Sequence, residues 1–266
     1  MPYKKIFIYA ENRELVRSNS KSKLIIKYLL PATRELLYAN TANLLEEIVL
    51  RNGGELGCRT KENQGFYLDD FKADGSIQKG LLSLFKDIMA NPDKEEFEYH
   101  LASFHARYGS KRMLYIKRSH LGLMKRYYDQ ERPKTESNQL LVSNSTNHTL
   151  GEPIGEQYGT QLFSKVLEKV RKLMQDNPEA YSGYQELDKA QSYHHLRHSF
   201  GTDIFHEGCQ KAKKSYESIT TESAVYIETA RRLGHKVDSK YSNQTTKVYI
   251  HASGQREQLL KEVVNG

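Results

Sequence analysis

Between Glu95 and Ile116 the apolar residues of this chain change their spacing, and that change limits the folds open to it. Phe97, Tyr99 and Leu101 alternate with polar neighbours, and Phe104 and Tyr108 extend the run. Tyr108-Gly109-Ser110-Lys111 reads as a turn, and Met113-Leu114-Tyr115-Ile116 as a second strand. Period-two alternation on both sides of a turn predicts a β-hairpin, with Arg107, Lys111 and Arg112 clustered at its tip. Elsewhere the apolar residues recur every three or four positions, the spacing of amphipathic helices. The expected class is α+β, mostly helical, with one small antiparallel sheet.

The helical segments follow in order. Ser20-Lys21-Ser22 can cap a helix from Leu24 to Leu30, which Pro31 would end or kink. A longer helix is expected from Ala32 to about Arg51, stopped by Asn52-Gly53-Gly54. Further helices are expected over Ser76–Asn91, Ser119–Arg132, Gln161–Met174, from His194 onward, and over Glu222–Leu233 before Gly234-His235. A short one closes the chain, Gln255–Val264. Residues 133–158, rich in Ser, Asn, Thr and Gly, form a loop. Residues 1–19 read as a leader or linker remnant, and 20–266 as one domain with a tail helix within 254–264.

Composition narrows the partners. Lys and Arg outnumber Asp and Glu by 40 to 33, giving a net charge of +7, which favours a polyanion. Eighteen Tyr and no Trp permit stacking or nucleophilic chemistry without choosing between them. Cys58 and Cys209 stand alone, so neither a CxxC metal site nor a disulfide framework is expected. No apolar run reaches the roughly 18 residues of a membrane span, and no signal-peptide pattern opens the chain. The expected location is the cytoplasm, in association with the nucleoid.

One stretch concentrates chemistry: His194-His195-Leu196-Arg197-His198-Ser199-Phe200-Gly201-Thr202. Leu196, Phe200 and Ile204 give it an apolar helical edge, and residues three and four apart share a face. His194 therefore lies on one edge with Arg197 and His198. A titratable base beside a fixed cation suits the handling of a phosphate. The same histidines at i and i+4 also fit a zinc site, but no acid or Cys is near in sequence and Arg197 would repel a cation. An Arg after a glycine turn (Gly57-Cys58-Arg59), with Glu62 three residues on, reads by itself as a surface pair.

Together these segments have a specific order, which resembles the tyrosine recombinase (phage integrase) family. The nine-residue stretch is similar to that family's His-x-Leu-Arg-His-Thr/Ser-Phe-Ala-Thr box. Gly57 to Glu62 resembles its Gly-x-Arg-x-x-Glu, Leu233-Gly234-His235 its Leu-Gly-His, and Thr245-Thr246-Lys247-Val248-Tyr249-Ile250-His251 its Thr-Thr-x-x-Tyr-x-His. The resemblance implies a helical catalytic domain that cleaves and rejoins double-stranded DNA through a 3′-phosphotyrosine, without metal or cofactor, as a tetramer on DNA. It implies Tyr249 as nucleophile, His194 as its base, Arg59 and Arg197 as phosphate clamps, and His235 as a further donor to the phosphate. A hairpin Lys would protonate the leaving 5′-oxygen; Lys111 is the candidate and Arg107 the alternative. His251 and His198 are assigned to a supporting layer, and His195 lies outside the site.

The chain also departs from the family. The intervals from Arg59 to the hairpin and from His235 to Tyr249 are longer than usual, and the 76–91 segment looks like an insertion. The family's N-terminal helical domain is not in this sequence, which fits either an excised catalytic domain or a naturally short protein; the linker-like residues 1–20 favour excision. A type IB topoisomerase shares the chemistry, and a DNA-binding relative with a decayed site is a third reading. The tail helix suits docking on a neighbouring subunit and so favours the recombinase.

Overall fold

Pro31 begins a helix and does not end one. Its fixed φ and missing N–H fit the first helical position, and α1 runs Pro31–Ala39. The computed structural model describes residues 28–73, 75–101, 112–235, 252–261 and 263. Leu24 to Lys27 of the expected 24–30 helix lie outside these, and Tyr28 to Leu30 are not helical.

The single helix expected from Ala32 to Arg51 is two. Asn43 caps α2 (Leu44–Glu55) by accepting a bond from the Glu46 amide at 3.0 Å. The glycines then lie inside α2 and not beyond it. A Cβ on Gly53 would come within 2.9 Å of the Tyr193 ring, and one on Gly54 within 1.9 Å of the Tyr38 hydroxyl. They serve close approach, a requirement set by residues far off in sequence.

A 3-10 helix, Thr60–Gly65, follows. Then comes a small hairpin, β1 (Phe71–Ala73) and β2 (Ser76–Gln78), where part of a helix was expected. Helix α3 is therefore shorter, Leu81–Ala90. The second hairpin is the expected one: β3 (Glu96–Leu101) pairs antiparallel with β4 (Arg112–Lys117). There are thus two two-stranded sheets among the described residues, not one. Helices α4 (Arg118–Gln130), α5 (Tyr158–Asp176), α6 (Tyr193–Ala212) and α7 (Ala224–Arg232) complete the body. Residues 131–157 contain no helix or paired strand beyond two isolated bridges.

One core joins α1 to α5, β3 and β4 with the start of α6, where Tyr193 and Leu196 are buried. Polar bonds fix α6 within it. The Tyr193 hydroxyl donates to the Val49 carbonyl at 2.9 Å and accepts from Asn63 at 3.0 Å. The C-terminal helix over 252–261, α8, lies on its own chain: Leu259 packs with Tyr28 and Leu30, and Arg256 approaches Asp203 of α6 at 3.7 Å. Among the described residues no helix is long and apolar enough to cross a membrane.

Candidate active site

The first turn of α6, the 3-10 helix and the end of α7 meet around one carboxylate. Arg59 stands at the N-terminus of the 3-10 helix, and its backbone and side chain both turn to Glu62: the amide donates to Oε2 at 2.8 Å and Nη1 to Oε1 at 2.7 Å. This is a capping arrangement in which the acid three residues on closes the turn. Glu62 is 1% exposed, while Arg59 remains 23% exposed at the lip. Spacing alone reads the pair as a surface contact, whereas Glu62 is buried at the centre of the site. What marks it in the sequence is the Gly-x-Arg-x-x-Glu pattern.

Arg197 comes to the same carboxylate from α6 and is itself 1% exposed. Its Nη1 lies 3.8 Å from Glu62 Oε2 and donates to the Gly57 carbonyl. Its Nη2 donates to the Leu233 carbonyl and meets His235 Nε2 at 3.3 Å. Gly57 takes φ +62°, and a side chain there would strike Phe200, so only glycine offers its carbonyl to Arg197 at this corner. The arginine thus holds together the two segments, Gly57-Cys58-Arg59 and Leu233-Gly234-His235, that sequence alone left far apart.

Electrostatics follow from this crowding. Burial raises the Glu62 pKa, but Arg112, Arg197 and Arg59 outweigh it and hold the carboxyl below its usual range. Burial, then Arg197, Arg59 and Arg112, push the His235 pKa down to about 3. Its ring is neutral at physiological pH. A guanidinium can only donate, so Nε2 accepts from Arg197 and the proton sits on Nδ1.

A pH dependence follows. The unfolded imidazole titrates near 6.5, so between about pH 6.5 and 3 the unfolded chain holds a proton at His235 that the folded chain lacks. Stability falls as pH drops through that window, by up to about 1.4 kcal/mol per unit from this group. Urea midpoints at pH 7, 6 and 5 should fall less steeply for His235→Asn than for the parent. Parallel trends would show that His235 is not the buried neutral group described.

His194 is exposed, in contrast to Arg197 one turn on. It lines an open cleft of about 400 Å³ with Arg59, Thr60, Lys61, Gln157 and Ser192. Its ring packs edge-on against His198 with centroids 4.6 Å apart. The expectation that His194 and Arg197 share one edge needs amendment: the base candidate is at the surface and the clamp lies inside, where α6 faces Gly57 and Leu233. His195 points elsewhere. Its Nδ1 takes the Ser192 amide at 3.0 Å in a cap of α6. His198 contacts both neighbouring imidazole rings. Among the described residues no group of three His, Cys, Asp or Glu side chains is placed to hold a metal ion.

The remaining candidates, Lys111, Arg107, Tyr249 and His251, lie outside the described residues. The elements that lead to them are placed: β4 starts at Arg112, and α7 ends at the Leu233-Gly234-His235 corner beside Arg197. Arg112, which apolar spacing puts at the hairpin tip, is a buried neighbour of the Glu62 carboxylate. It is 2% exposed and its Nη1 is 2.5 Å from Glu62 Oε2.

No family model matches this chain, and no curated protein matches it. Solved structures do. The chain is similar to the crystal structure of XerA recombinase, with a TM-score of 0.53 and 15% identity over 92% of this chain. It spans 65% of the XerA chain. At that identity the likeness is one of fold: mostly helical with small antiparallel sheets, like the body of a recombinase.

Proposed function

We propose that this chain is the catalytic domain of a site-specific DNA recombinase that breaks and rejoins strands through a covalent tyrosine–phosphate bond. The observation that carries the reading is the meeting of Arg59, Arg197 and His235 around Glu62, with His194 on the adjoining cleft, on a fold like that of XerA recombinase.

In the proposed reaction the Tyr249 oxygen attacks a backbone phosphorus, and the bond to the 5′-oxygen breaks. The Tyr249 proton passes to His194, since a phenol with a pKa near 10 is a poor nucleophile until deprotonated. Arg59 and Arg197 offset the charge that gathers on the non-bridging oxygens, where a planar fork serves better than an ammonium. His235, kept neutral by its burial and by the surrounding guanidiniums, hydrogen-bonds the phosphate without adding charge. Lys111 donates the proton that the leaving oxygen needs; Arg107, the alternative at that place, would hydrogen-bond the leaving oxygen while its proton came from water, since a guanidinium does not give up its own. Reversal onto a new strand rejoins DNA with no external energy source, because the phosphotyrosine retains the bond energy.

The test is covalent trapping. A nicked suicide duplex, whose short cleaved fragment diffuses away, should leave a protein–DNA adduct that survives detergent. DNA binding with no adduct on any duplex containing the protein's own recombination site would overturn the reading. Relaxation of supercoiled plasmid by monomer, with no preferred site, would assign the chemistry to a type IB topoisomerase.

Binding should be largely electrostatic. If about four phosphates are neutralised, a fourfold rise in salt lowers affinity by about a hundredfold. Fluorescence anisotropy with a labelled duplex measures this directly, and salt-insensitive binding would contradict it.

A further inference from the structure

We propose that Arg112 is a positioning residue of the phosphate site: through Glu62 it sets where Arg59 and Arg197 stand. The inference rests on the reading of that site as a phosphate clamp. What it adds is the set of Arg112 contacts, which that reading does not use. Arg112 opens β4, and its side chain is 1% exposed. It donates from Nη1 to Glu62 Oε2 at 2.5 Å, from Nη2 to the Leu56 carbonyl at 2.5 Å, and from Nε and Nη2 to the Arg232 carbonyl at 3.2 and 3.0 Å. One guanidinium thus joins the second hairpin, the chain before Gly57, the 3-10 helix and the last turn of α7.

Its aliphatic stem explains the middle residue of Leu233-Gly234-His235. Gly234 takes φ +65°, and a Cβ there would come within 2.8 Å of Arg112 Cδ. The glycine therefore lets α7 turn sharply over Arg112, and that turn delivers His235 to Arg197.

A buried ion pair is weak evidence for stability, because an apolar replacement of similar size is often as stable. What an apolar side chain cannot do is divide Glu62 between partners. Arg112 shares Oε2 with the Arg59 amide, which leaves Oε1 to the Arg59 guanidinium at 2.7 Å and keeps Arg197 at 3.8 Å. Without Arg112, Oε2 keeps only the Arg59 amide and can turn toward Arg197, drawing Arg59 with it, so both clamps then move. Arg112 touches no reacting atom in this scheme; it acts through Glu62.

The test uses the full chain and orthovanadate as a phosphate mimic, followed by the ring ¹⁵N signals of His235. The parent should bind vanadate saturably. Arg112→Met should weaken binding at least tenfold and raise the His235 pKa, since one of the cations that depress it is gone. Arg112→Lys should keep the His235 pKa low yet still lose about tenfold in affinity, because one ammonium cannot reach Glu62, Leu56 and Arg232 together. Leu114→Ala, a buried change in the same strand, controls for lost stability and should retain both properties. Parent-like vanadate binding by Arg112→Lys, or an equal loss in Leu114→Ala, would overturn the inference. A parent that binds no vanadate would overturn the phosphate site and this inference with it. Loss confined to the Arg112 variants supports both.

Discussion

Glu62→Gln should destabilise the chain by about 3–5 kcal/mol, the cost of leaving buried charges without their counter-charge. Glu62 is 1% exposed and faces Arg112 and Arg197, each also 1% exposed, as well as Arg59. Glutamine keeps the volume but removes the charge and turns an amide donor toward guanidiniums that can only donate. The urea midpoint should drop sharply. Glu156→Gln provides the contrast, because its pair with Lys61 is more than half exposed on both sides, and such pairs contribute about 0–1 kcal/mol. Equal, small effects from the two substitutions would mean that the three arginines do not depend on one carboxylate.

Arg197→Lys should lower the rate of covalent capture by about 10²- to 10³-fold, the usual cost of removing one donor aimed at a developing oxyanion. DNA affinity should change only a few-fold, since one buried cation is a small part of the electrostatic binding proposed above. Arg197 spans the Gly57 and Leu233 carbonyls and reaches His235. A single ammonium cannot keep that span, so lysine both loses the fork and loosens the corner that carries His235. Stability should fall too, by about 1–3 kcal/mol for each buried acceptor left unmet. Single-turnover capture on a suicide duplex and urea titration separate the two effects. Capture at the parent rate would remove Arg197 from the clamp.

Much of the fold is legible in local pattern. The hairpin of β3 and β4, the helices α4 and α5, and α6, which opens beside His194, all follow from apolar spacing. What local pattern misreads is set by distant contacts. Gly53 and Gly54 look like a helix stop, yet they lie inside α2 because Tyr193 and Tyr38 press on them. Pro31 looks like an ending and is a beginning. Ser76 to Gln78 carry one apolar residue, Ile77, which is 79% exposed, so nothing in their periodicity marks the β1–β2 hairpin.

For the site, motif order brings Arg59, Arg197 and His235 to one place, and His194 to the cleft beside Arg59. Sequence spacing alone cannot show that Arg197 is interior while His194 faces solvent, because that depends on which side of α6 meets α2. Nor can it show Arg112, a charge beside a predicted turn, as a buried strut. That assignment needs the Leu56 and Arg232 carbonyls, neither of which has a sequence signature.

The central claim is that a tyrosine of this chain becomes joined to DNA. It is met most directly by trapping the chain on tiled suicide duplexes from the DNA around its own coding sequence, followed by digestion and mass spectrometry. The account predicts a nucleotide remnant on the peptide containing Tyr249, and none after Tyr249→Phe. A remnant on another side chain, or an adduct that persists in Tyr249→Phe, would contradict it.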